Sequence, residues 1–98
     1  MRKHYSDYVR YCTRLYFNLE SSPSPIVERV KYNNYISVSN VLDHYDTETI
    51  LFLKQAYSSE NLTKTITEVA VKKGCKPDAL WFTIQNYERE VAIERGLL

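Results

Sequence analysis

Apolar residues recur every three or four positions along most of the chain, which is the spacing of amphipathic α-helices. In the first segment, residues 5–19, they are Tyr5, Tyr8, Val9, Cys12, Leu15, Tyr16 and Leu19. Arg10 and Arg14 fall on the opposite, polar side. The pattern predicts a first helix whose two arginines lie on a solvated face, with a second phosphate contact as the alternative for them.

A cluster of Ser and Pro in residues 20–25 predicts the first break, because the residue before a proline is disfavoured in a helix. Ser24 and Pro25 are also typical of a helix start, and Ile26, Val27 and Val30 would then face inward. Residues 32–41 fit a helix by their spacing and a strand by a short alternation. We favour a helix, because no partner strand is visible elsewhere.

Two further helix starts follow in the second half. Asp46 is a good N-cap, with Glu48 near the positive end of the helix dipole. The helix after it, residues 47–57, is apolar nearly all round, which predicts a central position in the core. Thr65 and Glu68 form a capping-box pattern that opens a short helix over 66–73.

Gly74 is placed to end that short helix in a left-handed conformation. Pro77 and Asp78 then begin a long last helix that runs to about Arg95 and ends at Gly96. Its inward stripe at 100° per residue is Leu80, Ile84, Tyr87 and Val91.

The fold class predicted is all-α: a compact bundle of four to five helices with a C-terminal helix-turn-helix. We expect one domain over 1–98, with an N-terminal helix in 1–20 and the helix-turn-helix core in 46–96. The predicted core centres on Ile50, Phe52, Leu53, Val69, Leu80, Ile84 and Tyr87.

Composition supports this fold class and argues against several other classes of protein. The 98 residues are 44% hydrophobic and 26% charged, with only two glycines and three prolines, which favours one helical globule over a many-stranded sheet. No apolar run approaches the roughly 18 residues of a membrane span, so we expect a cytoplasmic protein without membrane contact. Cys12 and Cys75 are then two packed thiols.

No residue pattern indicates catalysis or a cofactor. His4, Cys12, His44 and Cys75 lack the spacing of metal ligands. No nucleophile has a recognisable partner, and there is no Gly-rich phosphate loop. We expect no enzyme activity, no metal and no cofactor.

A short helix, a tight turn containing Gly and a longer helix are the parts of a helix-turn-helix. Val69 and Ala70 are small enough for a close crossing, Gly74 follows four residues later, and Cys75 supplies an apolar turn residue. Residues 66–85 therefore resemble helix-turn-helix DNA-binding proteins. With the preceding helix, the C-terminal half is similar to the fourth region of bacterial sigma factors and the small phage-encoded regulators built on it.

The resemblance implies that the last helix enters the major groove of double-stranded DNA. Its outward stripe is Asp78, Phe82, Gln85, Arg89 and Ile93, with Trp81 beside it. Gln85 would pair with adenine, Arg89 with guanine or phosphate, and Phe82 would touch a thymine methyl. Lys64, Lys72, Lys73 and Lys76 surround the motif as candidate phosphate contacts.

Two functions therefore stay open. One is a DNA-binding transcription regulator. The other is a small adaptor that uses the last helix to bind a protein, such as RNA polymerase or a second copy in a homodimer, because Phe82 and Ile93 suit a protein contact as well. A third interpretation is that the outward stripe of the last helix binds nothing and that the protein is a purely structural bundle.

Overall fold

The computed structural model describes residues 4–98, which form five α-helices and contain no strand. The helices are α1 (Ser6–Phe17), α2 (Arg29–Leu42), α3 (Thr47–Ser58), α4 (Leu62–Lys73) and α5 (Pro77–Arg95). The all-α prediction is confirmed, with the helix over 32–41 as part of α2. Residues 1–3 of the predicted N-terminal segment lie outside the described residues. None of the helices in 4–98 has the length and apolarity of a membrane span.

The central element is α5, which packs against α1, α2 and α4. Its predicted inward stripe is confirmed, because Leu80, Ile84, Tyr87 and Val91 are all buried. The central position predicted for α3 is wrong: α3 packs mainly against α1 and α4, and Leu51 is 60% exposed. At 19 residues, α5 is about 28 Å long and can cross more neighbours than the 12-residue α3.

The predicted core is largely confirmed. Six of its members are buried: Phe52, Leu53, Val69, Leu80, Ile84 and Tyr87. Ile50 is only half-buried and packs at the edge of the core. The structure adds residues from α1 and α2, among them Val9, Val38 and Val41, so that every helix contributes to one core.

Most predicted helix ends are confirmed by their hydrogen bonds. The Asp46 carboxylate accepts from the Thr49 N–H at 2.7 Å and caps α3. Gly74 has φ 68°, and the Cys75 N–H after it donates to the Ala70 carbonyl at 3.0 Å. Pro77 opens α5, and Gly96, with φ 80°, follows its end. The turn chemistry of the C-terminal half is thus local, which is why the sequence predicts it.

The predicted start of α4 is wrong. The helix begins at Leu62, and the Asn61 side chain caps it by accepting from the Lys64 N–H at 3.0 Å. Thr65 lies in the second turn and is buried. The earlier start brings Leu62 into the core, and Asn is as good an N-cap as Thr.

The connection between α1 and α2 also differs from the prediction. Ser24 does accept hydrogen bonds from the Ile26 and Val27 N–H groups, at 3.3 and 3.2 Å. That single turn does not continue into α2, which begins at Arg29. Ile26, Val27 and Val30 are 85%, 84% and 61% exposed, so their predicted inward orientation is wrong. The local cap is present, but no neighbouring element covers these side chains.

A buried polar cluster joins α1, α3 and α5. Arg10 Nε donates to Glu88 Oε2 at 2.8 Å, and the Tyr57 hydroxyl donates to the same oxygen at 2.7 Å. Glu88 is only 3% exposed. Burial, followed by the charge of Glu88, raises the pKa of Tyr57 well above its usual value of 10.0, so its hydroxyl stays a donor.

The two arginines of α1 therefore have different environments. Both sequence interpretations of Arg10, a solvated face and a phosphate contact, are wrong. Its guanidinium neutralises the buried Glu88 carboxylate and is therefore not available for phosphate. Arg14 is exposed as predicted, and its Nε donates to the Tyr57 carbonyl at 3.1 Å.

Substitution of Gly74 tests the left-handed turn. Gly74→Val should lower the free energy of unfolding by about 1–2 kcal/mol, because a β-branched residue is disfavoured at positive φ. The site has room for a Cβ, with nothing within 4 Å, so crowding is not the reason. Gly74→Asn is the matched control and should cost less, since Asn tolerates this conformation. Equal thermal melts for both variants would contradict the assignment.

Removal of Arg10 tests the buried polar cluster. Arg10→Met should cost about 3 kcal/mol, because it leaves the Glu88 carboxylate buried without a counter-charge. Arg14→Met, one turn along α1, removes an exposed guanidinium and should cost less than about 1.5 kcal/mol. Urea unfolding followed by circular dichroism measures both. Similar losses for the two variants would show that the Arg10–Glu88 pair has no special role.

Candidate nucleic-acid interface

The outward side of α5 is a solvent-exposed stripe, as the helical spacing predicts. Asp78, Phe82, Gln85 and Arg89 are all exposed, with Phe82 at 64%. Their spacing keeps them on one face over about 16 Å of helix. We call these four residues the α5 face. It lies opposite the buried stripe that holds α5 in the core, so its orientation relative to the fold is fixed.

Two further aromatic and apolar residues border the α5 face. Trp81 is half-buried and packs against the core, so only part of its ring is open to a ligand. Ile93 continues the stripe toward the C-terminus and is 55% exposed. The predicted site residues of α5 are therefore together, with Trp81 at the edge and not at the centre.

Three of the four predicted lysines surround the turn between α4 and α5, whereas Lys64 lies in the first turn of α4. Lys72, Lys73 and Lys76 are exposed, and the turn itself is residues 74–76. Lys72 and Lys76 make no ion pair within residues 4–98. Lys76 is the N-terminal flanking residue of α5, and no side chain caps that helix start. Lys76 is thus at the positive end of the α5 dipole, where an anion is favoured, and Lys72 precedes the turn in the last turn of α4.

Lys73 differs from its two neighbours because it already has partners. Its Nζ donates to Glu48 Oε1 of α3 at 3.0 Å and lies 6.0 Å from the centre of the Phe52 ring. Sequence reasoning assigned Glu48 only to the start of α3. Their separation of 25 residues leaves no local signal for the ion pair.

Charge on this surface is mixed. Lys72, Lys76 and Arg89 are cationic, whereas Asp78 in the first turn of α5 is anionic. Asp78 lies at the positive end of the helix dipole, where its charge stabilises α5. An anionic ligand would therefore meet the lysines at the turn more readily than the first turn of α5 itself.

The two cysteines lie in different environments, which corrects one prediction. Cys12 is buried in the core, and burial raises the pKa of its thiol. Cys75 is exposed in the turn, so it is not the packed apolar turn residue that the sequence indicated. Its backbone N–H completes the helix end at Gly74 and directs the side chain to solvent. Within residues 4–98, no group of three or more His, Cys, Asp or Glu side chains could hold a metal ion.

Comparisons with protein-family models, curated proteins and solved structures give no significant match for this chain. The structure shows α4, a turn and the longer α5 in succession, and both the helix-turn-helix and its likeness to sigma factors stay predictions from the sequence.

Thiol reactivity tests the placement of the turn. In the folded protein, one thiol should react rapidly with an aromatic disulfide reagent and the other at least about tenfold more slowly, because burial protects it and disfavours its thiolate. Cys75→Ser should abolish the fast phase. Two equally fast thiols in folded protein would contradict the buried position of Cys12.

Proposed function

We propose that the protein binds double-stranded DNA as a transcription regulator, with the N-terminal half of α5 in the major groove. The observation that carries this proposal is the exposure of Phe82, Gln85 and Arg89 on one face of α5, next to the free ammonium groups of Lys72 and Lys76. An α-helix fits the major groove, and these residue types match what its base edges offer.

Three residues of the α5 face have distinct tasks in this proposal. The Gln85 amide can donate to and accept from adenine, and the Arg89 guanidinium can donate two hydrogen bonds to guanine. Phe82 offers an apolar contact to a thymine methyl. Lys72 and Lys76 bind phosphates, which positions the helix without selecting a sequence.

Because Lys73 is ion-paired with Glu48, it can contribute to DNA binding only if that pair breaks. To bind a phosphate, Lys73 must leave Glu48, and a carboxylate near the DNA backbone repels phosphate in any case. Lys73 therefore contributes less than Lys72 or Lys76. Neutralising Glu48 should release Lys73 and remove the repulsion together.

A protein-binding adaptor is the second candidate function, and exposed apolar side chains favour it. Phe82 is 64% exposed and Ile93 is 55% exposed on α5, and Val71 is 77% exposed on α4. Apolar surface of this kind suits RNA polymerase or a second copy of the chain as partner. Such a contact responds weakly to added salt, whereas DNA binding falls steeply through counterion release.

DNA retention by matched variants separates the two candidates. Lys72→Ala and Lys76→Ala should each weaken binding on all sequences and flatten the salt slope by about one unit. Glu48→Gln should strengthen binding by about twofold to fivefold, because it removes a repulsive charge. Gln85→Ala should lose about 1–3 kcal/mol at one base position and relax the preference there. Gel shifts with random-sequence and genomic fragments at two salt concentrations measure all four.

Lys54→Ala is the matched control, because Lys54 is an exposed lysine of α3 outside this surface. It should leave binding nearly unchanged. Phe82→Ala should weaken DNA binding and leave any protein complex intact. If the lysine and Gln85 variants stay folded and retain DNA like the native protein, the DNA proposal fails. Loss of a protein complex in Phe82→Ala would then favour the adaptor.

A further inference from the structure

The segment between α1 and α2, together with the first turn of α2, carries an aliphatic protrusion. We call Ile26, Val27 and Val30 the aliphatic knob; their exposed fractions are 85%, 84% and 61%. The backbone beneath it is ordered by Pro23, which is buried, and by the two hydrogen bonds that Ser24 accepts. An ordered segment that holds three aliphatic side chains in water indicates a contact surface.

A small apolar cavity lies beside the knob. Its volume is about 90 Å³, and its walls are mostly apolar or aromatic, with Lys31 and Asn34 as polar members beside Cys12, Leu15, Tyr16, Leu19, Pro23 and Tyr35. A cavity of about 150 Å³ holds a benzene molecule, so this one has the size for a single aliphatic side chain. The knob of the same chain does not fill it, because Ile26 and Val27 are almost fully exposed.

Knob and cavity belong to one surface of the molecule. The knob residues lie between Pro23 and Lys31 in the chain, and both of these line the cavity. Neighbouring complementary features allow a two-fold arrangement in which each copy inserts its knob into the cavity of the other. Such a contact is complete with two copies. A knob and a cavity on distant surfaces would instead join many copies into an open-ended filament.

The charges around this surface suit a second copy as well. Glu20 and Arg29 flank the knob, both are exposed, and neither makes an ion pair within residues 4–98. Glu28 is already paired with Lys31 at 3.7 Å. A two-fold arrangement can therefore bring each Glu20 toward Arg29 of the other copy, with opposite charges facing at both ends.

We propose that the protein forms a two-fold homodimer in which Ile26 from the aliphatic knob of each copy fills the cavity between α1 and α2 of the other. This surface is separate from the α5 face, so the proposal does not depend on DNA binding. It leaves α5 of both copies exposed for a further partner.

Oligomeric state in solution tests the dimer directly. Light scattering or sedimentation should show the mass rising with concentration from 11.6 kDa toward twice that value. Ile26→Asp should raise the dissociation constant at least about 100-fold, because it places a charge in an apolar cavity. Leu51→Asp is the matched control at a 60% exposed residue of α3, and it should leave the dimer unchanged. Circular dichroism should show native helix content for both variants.

Disulfide trapping tests the arrangement itself. In a Cys75→Ser background, a mixture of Ile26→Cys and Leu15→Cys proteins should form a cross-linked pair under mild oxidation, at several times the yield of a mixture of Ile26→Cys with Leu51→Cys. Mass spectrometry should map the bond to position 26 of one copy and the cavity of the other.

Three results would overturn the proposal. If the native protein stays monomeric up to about 1 mM, the proposal fails. This surface would then bind another partner, or the knob would close on the cavity of its own chain. A dimer that persists in Ile26→Asp would form through a different surface. A dimer without the cross-link from position 26 to the cavity would have another geometry.

Discussion

The carboxylate of Glu88 is the point at which the helices depend on one another. It lies on α5 with 3% exposure, and it accepts hydrogen bonds from Arg10 of α1 and Tyr57 of α3. A carboxylate in the interior is strongly destabilising without a counter-charge and donors, so these three helices are constrained to meet there. The Thr13 and Tyr87 hydroxyls, 2.6 Å apart, join α1 to α5 beside it.

This constraint decides which side of α5 faces solvent. With Ile84, Tyr87 and Glu88 held inside, the opposite stripe that includes Phe82, Gln85 and Arg89 is left outside. Leu80 and Ile84 anchor the N-terminal half of α5 in the same core, so the exposed stripe of that half has a fixed position. A helix presented in this way suits recognition of an extended surface, because its exposed side chains need no rearrangement of the core to make contact.

The two surfaces on which the proposals rest are exposed within residues 4–98, and they differ in chemistry. The surface around the α4–α5 turn combines exposed lysines with polar and aromatic side chains, and the proposed DNA contact rests on that chemistry. The knob of the α1–α2 region is aliphatic and the cavity beside it is lined mostly by apolar and aromatic side chains, and the proposed contact with a second copy rests on these two features. Separate surfaces of different character allow a protein of this size to bind two partners at once.

The sequence by itself determined the helices and most of their ends. Asp46, Gly74, Pro77 and Gly96 act through hydrogen bonds and dihedral preferences within a few residues, so their roles are local. The exposed and buried stripes of α5 follow from its period in the same way. These features sufficed to predict the all-α class, most of the core and the exposed members of the α5 face.

Only the tertiary structure decided which faces find neighbours. Ile26 and Val27 have an apolar pattern and a local cap, yet no element covers them, whereas the charged Glu88 and Arg10 are enclosed by three helices. Lys73 has the same local setting as Lys72 but is paired with Glu48, 25 residues away in the chain. Contacts between residues so far apart depend on how the helices are packed together, and hydrophobic periodicity carries no information about which partner that packing brings near.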